Sequence, residues 1–162
     1  MKNTGDYNKV DHIPVMLNEV ISSLNINPDG IYIDGTLGKG GHSELILEKL
    51  SKNGLLIGLD RDLGSVHYCK ENFKRKLTPH FLFHDSYDNI PKILKKFKIN
   101  QVDGILLDLG LSSVQLESKN RGFTYGIDSE LDMRFDLNQK LKASDIVNDF
   151  SKNDLANIIY KY

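Results

Sequence analysis

Four short apolar runs, at 31–34, 55–60, 81–84 and 102–109, alternate with stretches whose apolar residues recur at helical spacing. That alternation restricts the fold more than any other feature of the chain. A strand with one wet face alternates apolar and polar residues, whereas a run that is apolar throughout has both faces covered. Strands of the second kind, separated by amphipathic helices, build a parallel sheet with helices on both sides, the doubly wound α/β class. The helical stripes fall at Met16, Val20 and Leu24, over 43–50, at Val66, Cys69, Phe73 and Leu77, and at Ile90, Ile93, Leu94 and Phe97. Pro14 and Pro91 suit the first turns of the first and last of these helices.

After Gly110 the alternation stops. Residues 111–140 are rich in Ser, Asp and Arg and lack a clear period; helix signals return at 143–148. Ser151-Lys152-Asn153-Asp154 then reads as a capping box before Leu155, Ile158, Ile159 and Tyr162. The expected organisation is a flexible polar arm at 1–11, the N-terminal part of an α/β domain at 12–110, and a motif loop with the start of a helical domain at 111–162. The fourth strand has no neighbour on its far side and the last stripe is still running at Tyr162. Both observations leave the sheet incomplete.

Lys plus Arg is 21 and Asp plus Glu is 22, which excludes a strongly basic nucleic-acid sponge but allows a local basic patch. Cys69 is the only cysteine, so there is no disulfide framework and no zinc-finger spacing, and its place on an apolar stripe makes it a core residue. The five histidines show no metal-ligand spacing, and no metal is expected. The first ten residues lack the apolar run of a signal peptide, and no stretch nears the ~18 apolar residues of a membrane span. A cytoplasmic protein without a membrane partner is expected.

The chemistry-bearing residues lie where strands end. Asp34-Gly35-Thr36-Leu37-Gly38-Lys39-Gly40-Gly41-His42 joins the first strand to a helix and holds four glycines, more than a turn needs. Its glycines let a ligand approach the backbone, and the helix behind presents unpaired N–H groups. The dinucleotide fingerprint fails because Ser43 stands at the third glycine, which argues against a nicotinamide-dependent oxidoreductase; the P-loop fails because Lys39 precedes Gly40. A loop shaped for a close, non-phosphate ligand remains. Asp60 ends the second strand, where a carboxylate can accept both hydroxyls of a ribose; the competing reading is that Asp60 and Asp62 cap the next helix. Asp108, Ser112 and Ser113 follow the fourth strand at the same edge of the sheet. Arg121, Phe123 and Arg134 could hold phosphate and stack on a base, or the loop could be fixed by Arg–Asp pairs. The lysine and arginine runs at 70–76 and 92–98 read as solvated faces before phosphate contacts.

Taken in order, His12-Ile13-Pro14-Val15, Tyr32–His42 with Ser43, Asp60-Arg61-Asp62, Asp103–Gly110 with Ser112, Ser113 and Gln115, Arg121-Gly122-Phe123 and Leu131-Asp132-Met133-Arg134 closely resemble the bacterial small-subunit ribosomal RNA cytosine-N4 methyltransferase family. The resemblance implies a Rossmann-like fold, S-adenosylmethionine (SAM) as methyl donor, and a decoding-centre cytidine of 16S rRNA in the small ribosomal subunit as acceptor, with no DNA partner. It places Gly40, Gly41, His42, Asp60, Tyr87, Asp108 and Gln115 around SAM, beside Asp34 and Gly38 of the same loop. Tyr87 stands where the family often has Phe, Val114 where it commonly has Pro, and 116–120 departs from its acidic pattern. Asp108, with Ser112 or Ser113, is the expected catalytic group, and Arg121, Phe123 and Arg134 the expected RNA contacts. Family members are considerably longer, so the resemblance implies that this chain is a truncated N-terminal half, with 111–162 opening an inserted helical domain, and a non-catalytic remnant that binds SAM or RNA weakly is the alternative reading.

Overall fold

The structure, a computed structural model, describes residues 14–162. The arm at 1–11 and the first two residues of the His12-Ile13-Pro14-Val15 motif lie outside the described residues. The chain divides into two compact units at Gly110 and Leu111.

In the first unit, helix α1 (Leu17–Leu24) precedes strand β1 (Ile31–Asp34), α2 (Gly41–Lys49), β2 (Leu55–Asp60), α3 (Leu63–Asn72), β3 (His80–His84), α4 (Ile90–Phe97) and β4 (Gly104–Leu106). The four strands are parallel in the order β3-β2-β1-β4. After β3 the chain crosses back to the far side of β1, so the switch in strand order falls between β1 and β4. Tyr32, Leu56 and Leu82 on one face of the sheet pack with Ile46, Leu47, Val66, Cys69 and Phe73 of the helical layer. Ile33, Ile57 and Leu59 on the other face pack with Ile93, Ile90, Leu94 and Phe97 of α4. Each strand sends alternate residues to opposite faces, and both layers are apolar, so the fully apolar runs are explained. The fold is doubly wound and Rossmann-like, as the alternation predicts.

Several expectations need correction. Pro14 is not in the first turn of α1; Met16, left-handed at φ 51°, precedes the helix, and the Pro14 ring packs on Gly41. Leu77 is 95% exposed, because α3 tightens into a 3-10 turn at Phe73–Arg75 and Lys76 is extended, which throws the next residue off the stripe. Among the described residues, the fourth apolar run is paired with β1 alone and only over Gly104–Leu106. Ile105 pairs with Ile33 and therefore shares its face, yet it is 48% exposed, with Leu107 43% exposed two residues on.

In the second unit, a short helix not anticipated from periodicity, α5 (Ser113–Glu117), is followed by α6 (Ala143–Asp149) and α7 (Lys152–Lys161). Ser151 caps α7 by accepting from the Asp154 amide at 3.2 Å. Among the described residues, no helix is long and apolar enough to cross a membrane.

Candidate functional site

The loop after β1 is stitched to its neighbours on both sides. Toward β4, the Gly35 amide donates to the Leu106 carbonyl at 2.9 Å, and the Asp108 amide donates to Thr36 Oγ1 at 2.7 Å. Toward β2, the Leu37 amide donates to the Leu59 carbonyl at 2.9 Å, and the Gly38 amide donates to Asp60 Oδ2 at 2.7 Å. The loop thus spans the carboxyl ends of three adjacent strands, at the place where the strand order reverses. In open α/β sheets that crevice is where ligands bind.

Beneath it sits Asp34, 1% exposed. Its Oδ1 accepts from the Thr36 amide at 3.1 Å and its Oδ2 from the Ser43 hydroxyl at 2.7 Å. Burial pushes its carboxyl above the ordinary carboxylate range, against the lowering by these two hydrogen bonds. Asp34, expected as a cofactor contact, fastens the loop to the first turn of α2 from below. Cys69 also lies under the loop, its thiol donating to the Gly38 carbonyl at 3.5 Å, and burial raises its pKa.

The glycines divide by what surrounds them. Gly38, at φ 51°, is left-handed, and a Cβ there would meet nothing nearer than the Thr36 carbonyl at 3.9 Å. Open space lies over that position, as close approach of a ligand requires. A Cβ on Gly40 would come within 2.7 Å of both Cys69 Sγ and Phe73 Cζ, so its glycine is set by packing against α3. His42 is buried, and its Nε2 lies 3.1 Å from the Val15 carbonyl. A carbonyl only accepts, so the ring carries its proton on Nε2 and ties the start of α2 to the segment before α1. Gly41 and His42, expected at the cofactor, are thus engaged with residues 14 and 15.

Asp60 does not cap α3. Asp62 does, accepting from the Gly64 amide at 2.9 Å, while Asp60 Oδ1 accepts from the Asp62 amide at 2.8 Å. Burial holds the Asp60 carboxyl above its ordinary range, with these backbone hydrogen bonds opposing. Tyr87 sits in a 3-10 turn after β3 with its ring 38% exposed, and its Cβ lies 3.1 Å from where Gly35 would carry one. Asp108 is exposed. Asp60, Gly38, Tyr87 and Asp108 therefore gather at one end of the sheet around one loop.

The second unit holds the other expected residues. Ser112 and Gln115 form a capping box: Ser112 Oγ accepts from the Gln115 amide at 3.2 Å, and Gln115 Oε1 accepts from the Ser112 amide at 3.0 Å. Ser113 begins α5. Both Arg121 and Arg134, expected as RNA contacts, are engaged within the unit. Arg121 is 6% exposed, and its Nη2 donates to the carbonyls of Arg134 and Phe135 at 2.8 and 3.0 Å. Arg134 grips Asp132 through Nε at 2.8 Å and Nη2 at 2.6 Å, and Nη1 reaches the Leu137 and Gln139 carbonyls. Its hydrogen bonds hold the Asp132 carboxyl below the ordinary range. Phe123 packs edge-on against Phe135 with centroids 5.4 Å apart. The loop is thus fixed internally by the Arg134–Asp132 pair and by the bonds of Arg121 to backbone carbonyls, as the Arg–Asp reading expects. The basic runs are partly neutralised: Lys76 pairs with Glu44 and Glu48, and Lys74 with Glu71, whereas Lys95, Lys96 and Lys98 are exposed.

A model of the MraW methylase family matches residues 9–162. The chain belongs to that family. Curated relatives include the ribosomal RNA small subunit methyltransferase H of Mycoplasmopsis agalactiae, 48% identical over 93% of this chain and 50% of the relative. The protein of the same name from Caldicellulosiruptor saccharolyticus is 48% identical over 94% of this chain and 49% of its own. The chain spans about half the length of the curated relatives it matches. A solved SAM-dependent methyltransferase from Aquifex aeolicus is similar over 47% of this chain and 41% of its own, at 17% identity and a TM-score of 0.41, a likeness too loose to carry an argument.

Proposed function

We propose that this MraW-family chain binds SAM in the crevice between β1 and β4 and contributes to N4-methylation of a decoding-centre cytidine in 16S rRNA, in the cytoplasm. The observation that carries the reading is the stitched loop, with open space over Gly38 flanked by Asp60, Tyr87 and Asp108. These residues fit SAM. Asp60 accepts two amides and keeps acceptor capacity for a ribose diol. Tyr87 offers a ring face to adenine. When bound, SAM supplies a methyl group on a sulfonium, which in-line attack can take.

The cytosine amine is a poor nucleophile because its lone pair is delocalised into the ring. In this reading Asp108 accepts an N–H hydrogen bond from it and stabilises positive charge growing on nitrogen. Ser112 and Ser113 follow in the second unit as candidate partners in orienting the base, with Gln115 as a candidate SAM contact. The base must leave its stack to enter such a crevice. The small ribosomal subunit is the proposed partner. The test is methyl transfer from labelled SAM to small subunits, with the product nucleoside identified; label on any atom other than cytidine N4 contradicts the assignment. A second reading, binding without turnover, is favoured by the exposure of Ile105 on β4 and of Leu107 just after it, which leaves apolar surface open beside the crevice.

A further inference from the structure

The Asp108 amide lies beyond the last rung of the β1–β4 ladder. The final pair is Asp34 with Leu106, after which β1 turns away into the glycine loop. A strand that outruns its neighbour leaves its backbone groups without a ladder partner. Here the Thr36 hydroxyl takes the place of the missing carbonyl, accepting from the Asp108 amide at 2.7 Å. Thr36 is itself held, its own amide donating to buried Asp34, which Ser43 of α2 secures in turn. Residues 107–110 are exposed throughout, so little packing fixes them.

We infer that Thr36 is the positioning residue for Asp108: its side chain carries the order of the loop across the switch point to the carboxylate that meets SAM and the base. This rests on the proposed SAM site and adds a residue to which no contact with SAM was assigned. The role needs an oxygen at that place, not the shape of threonine. Valine matches the shape and lacks the acceptor; serine keeps the acceptor and loses the methyl.

The experiment uses the whole chain with Thr36→Val, Thr36→Ser, Asp108→Ala and the double variant Thr36→Val/Asp108→Ala. In the ligand-free proteins, the Asp108 amide proton resonance should move upfield in Thr36→Val and stay near the parent position in Thr36→Ser. In SAM calorimetry, Thr36→Val should bind roughly ten-fold more weakly, the loss of about one charge-assisted contact. Thr36→Ser should bind within about two-fold of the parent. In the Asp108→Ala background, Thr36→Val should cost nothing further. An unmoved Asp108 amide in Thr36→Val, or equal losses of SAM affinity with and without Asp108, overturns the inference while leaving the SAM site standing. A parent chain that binds no SAM overturns the cofactor reading and this inference together.

Discussion

Each oxygen of Asp60 accepts one backbone hydrogen, from Asp62 or from Gly38. An ionised carboxylate has about four acceptor sites, so it can hold the loop and still receive a ribose diol. Asp60→Ala removes both functions and should weaken SAM binding by roughly ten-fold or more, at ~1.5–3 kcal/mol per hydrogen bond to a charged group. Asp60→Asn keeps one acceptor and should fall between; calorimetry of the three proteins decides, and equal affinities remove Asp60 from the site. Buried acids also set opposite pH slopes. Burial raises the folded-state pKa of Asp34 above the unfolded value of about 3.9, so the folded state binds more protons between the two values. Stability from this group declines as pH rises through that window. For Asp132, hydrogen-bonded by Arg134, the folded pKa is depressed, so its contribution is present above about pH 4 and lost as pH falls through the folded value. Urea unfolding from acid to neutral pH should show the decline removed by Asp34→Asn and the acid loss removed by Asp132→Asn. A variant with the parent's slope contradicts the corresponding assignment.

At the scale of elements, β4 is the part whose sequence and structure diverge most. Its run spans eight positions, 102–109, but pairing covers only three because Asp103 turns its side chain to the Ile31 amide and Asp108 turns its amide to Thr36. Neither partner is close in sequence, so the boundary could not be read from the run. Asp60 and the loop glycines were legible because a carboxylate and a flexible turn at a strand end have a local signature. The packing that selects Gly40, through Cys69 and Phe73, has none. The Arg134–Asp132 pair was visible as a motif, whereas the backbone carbonyls that Arg121 serves leave no mark in residue types. Helix α5 was missed although Ser112-Val114-Gln115 carries a capping-box spacing; Ser112→Ala should cost about 1 kcal/mol in the stability of the second unit. The exposed edge of β4 is a pairing liability. Ile105→Lys should lower light scattering on concentration, with a stability change of about 1 kcal/mol or less for a half-exposed site. Unchanged scattering would show that this edge is not where copies of the chain associate.

For the whole chain, the account separates cofactor binding from turnover. The loop, Asp60, Tyr87 and Asp108 belong to one compact unit, whereas Ser112, Ser113 and Gln115 belong to the other. On the proposed reading, SAM binding draws on residues of the first unit, and transfer needs in addition the candidate residues of the second and an RNA acceptor. The chain by itself should therefore bind SAM and methylate small subunits poorly, and efficient transfer by the isolated chain would contradict that separation. The most direct measurement is titration of SAM into the 162-residue chain by calorimetry, repeated with a folded Asp60→Ala variant. The account predicts saturable one-to-one binding by the parent and at least roughly ten-fold weaker binding by the variant. No binding by a folded parent chain, or the same affinity in both, would contradict the claim that the loop between β1 and α2 is a SAM site.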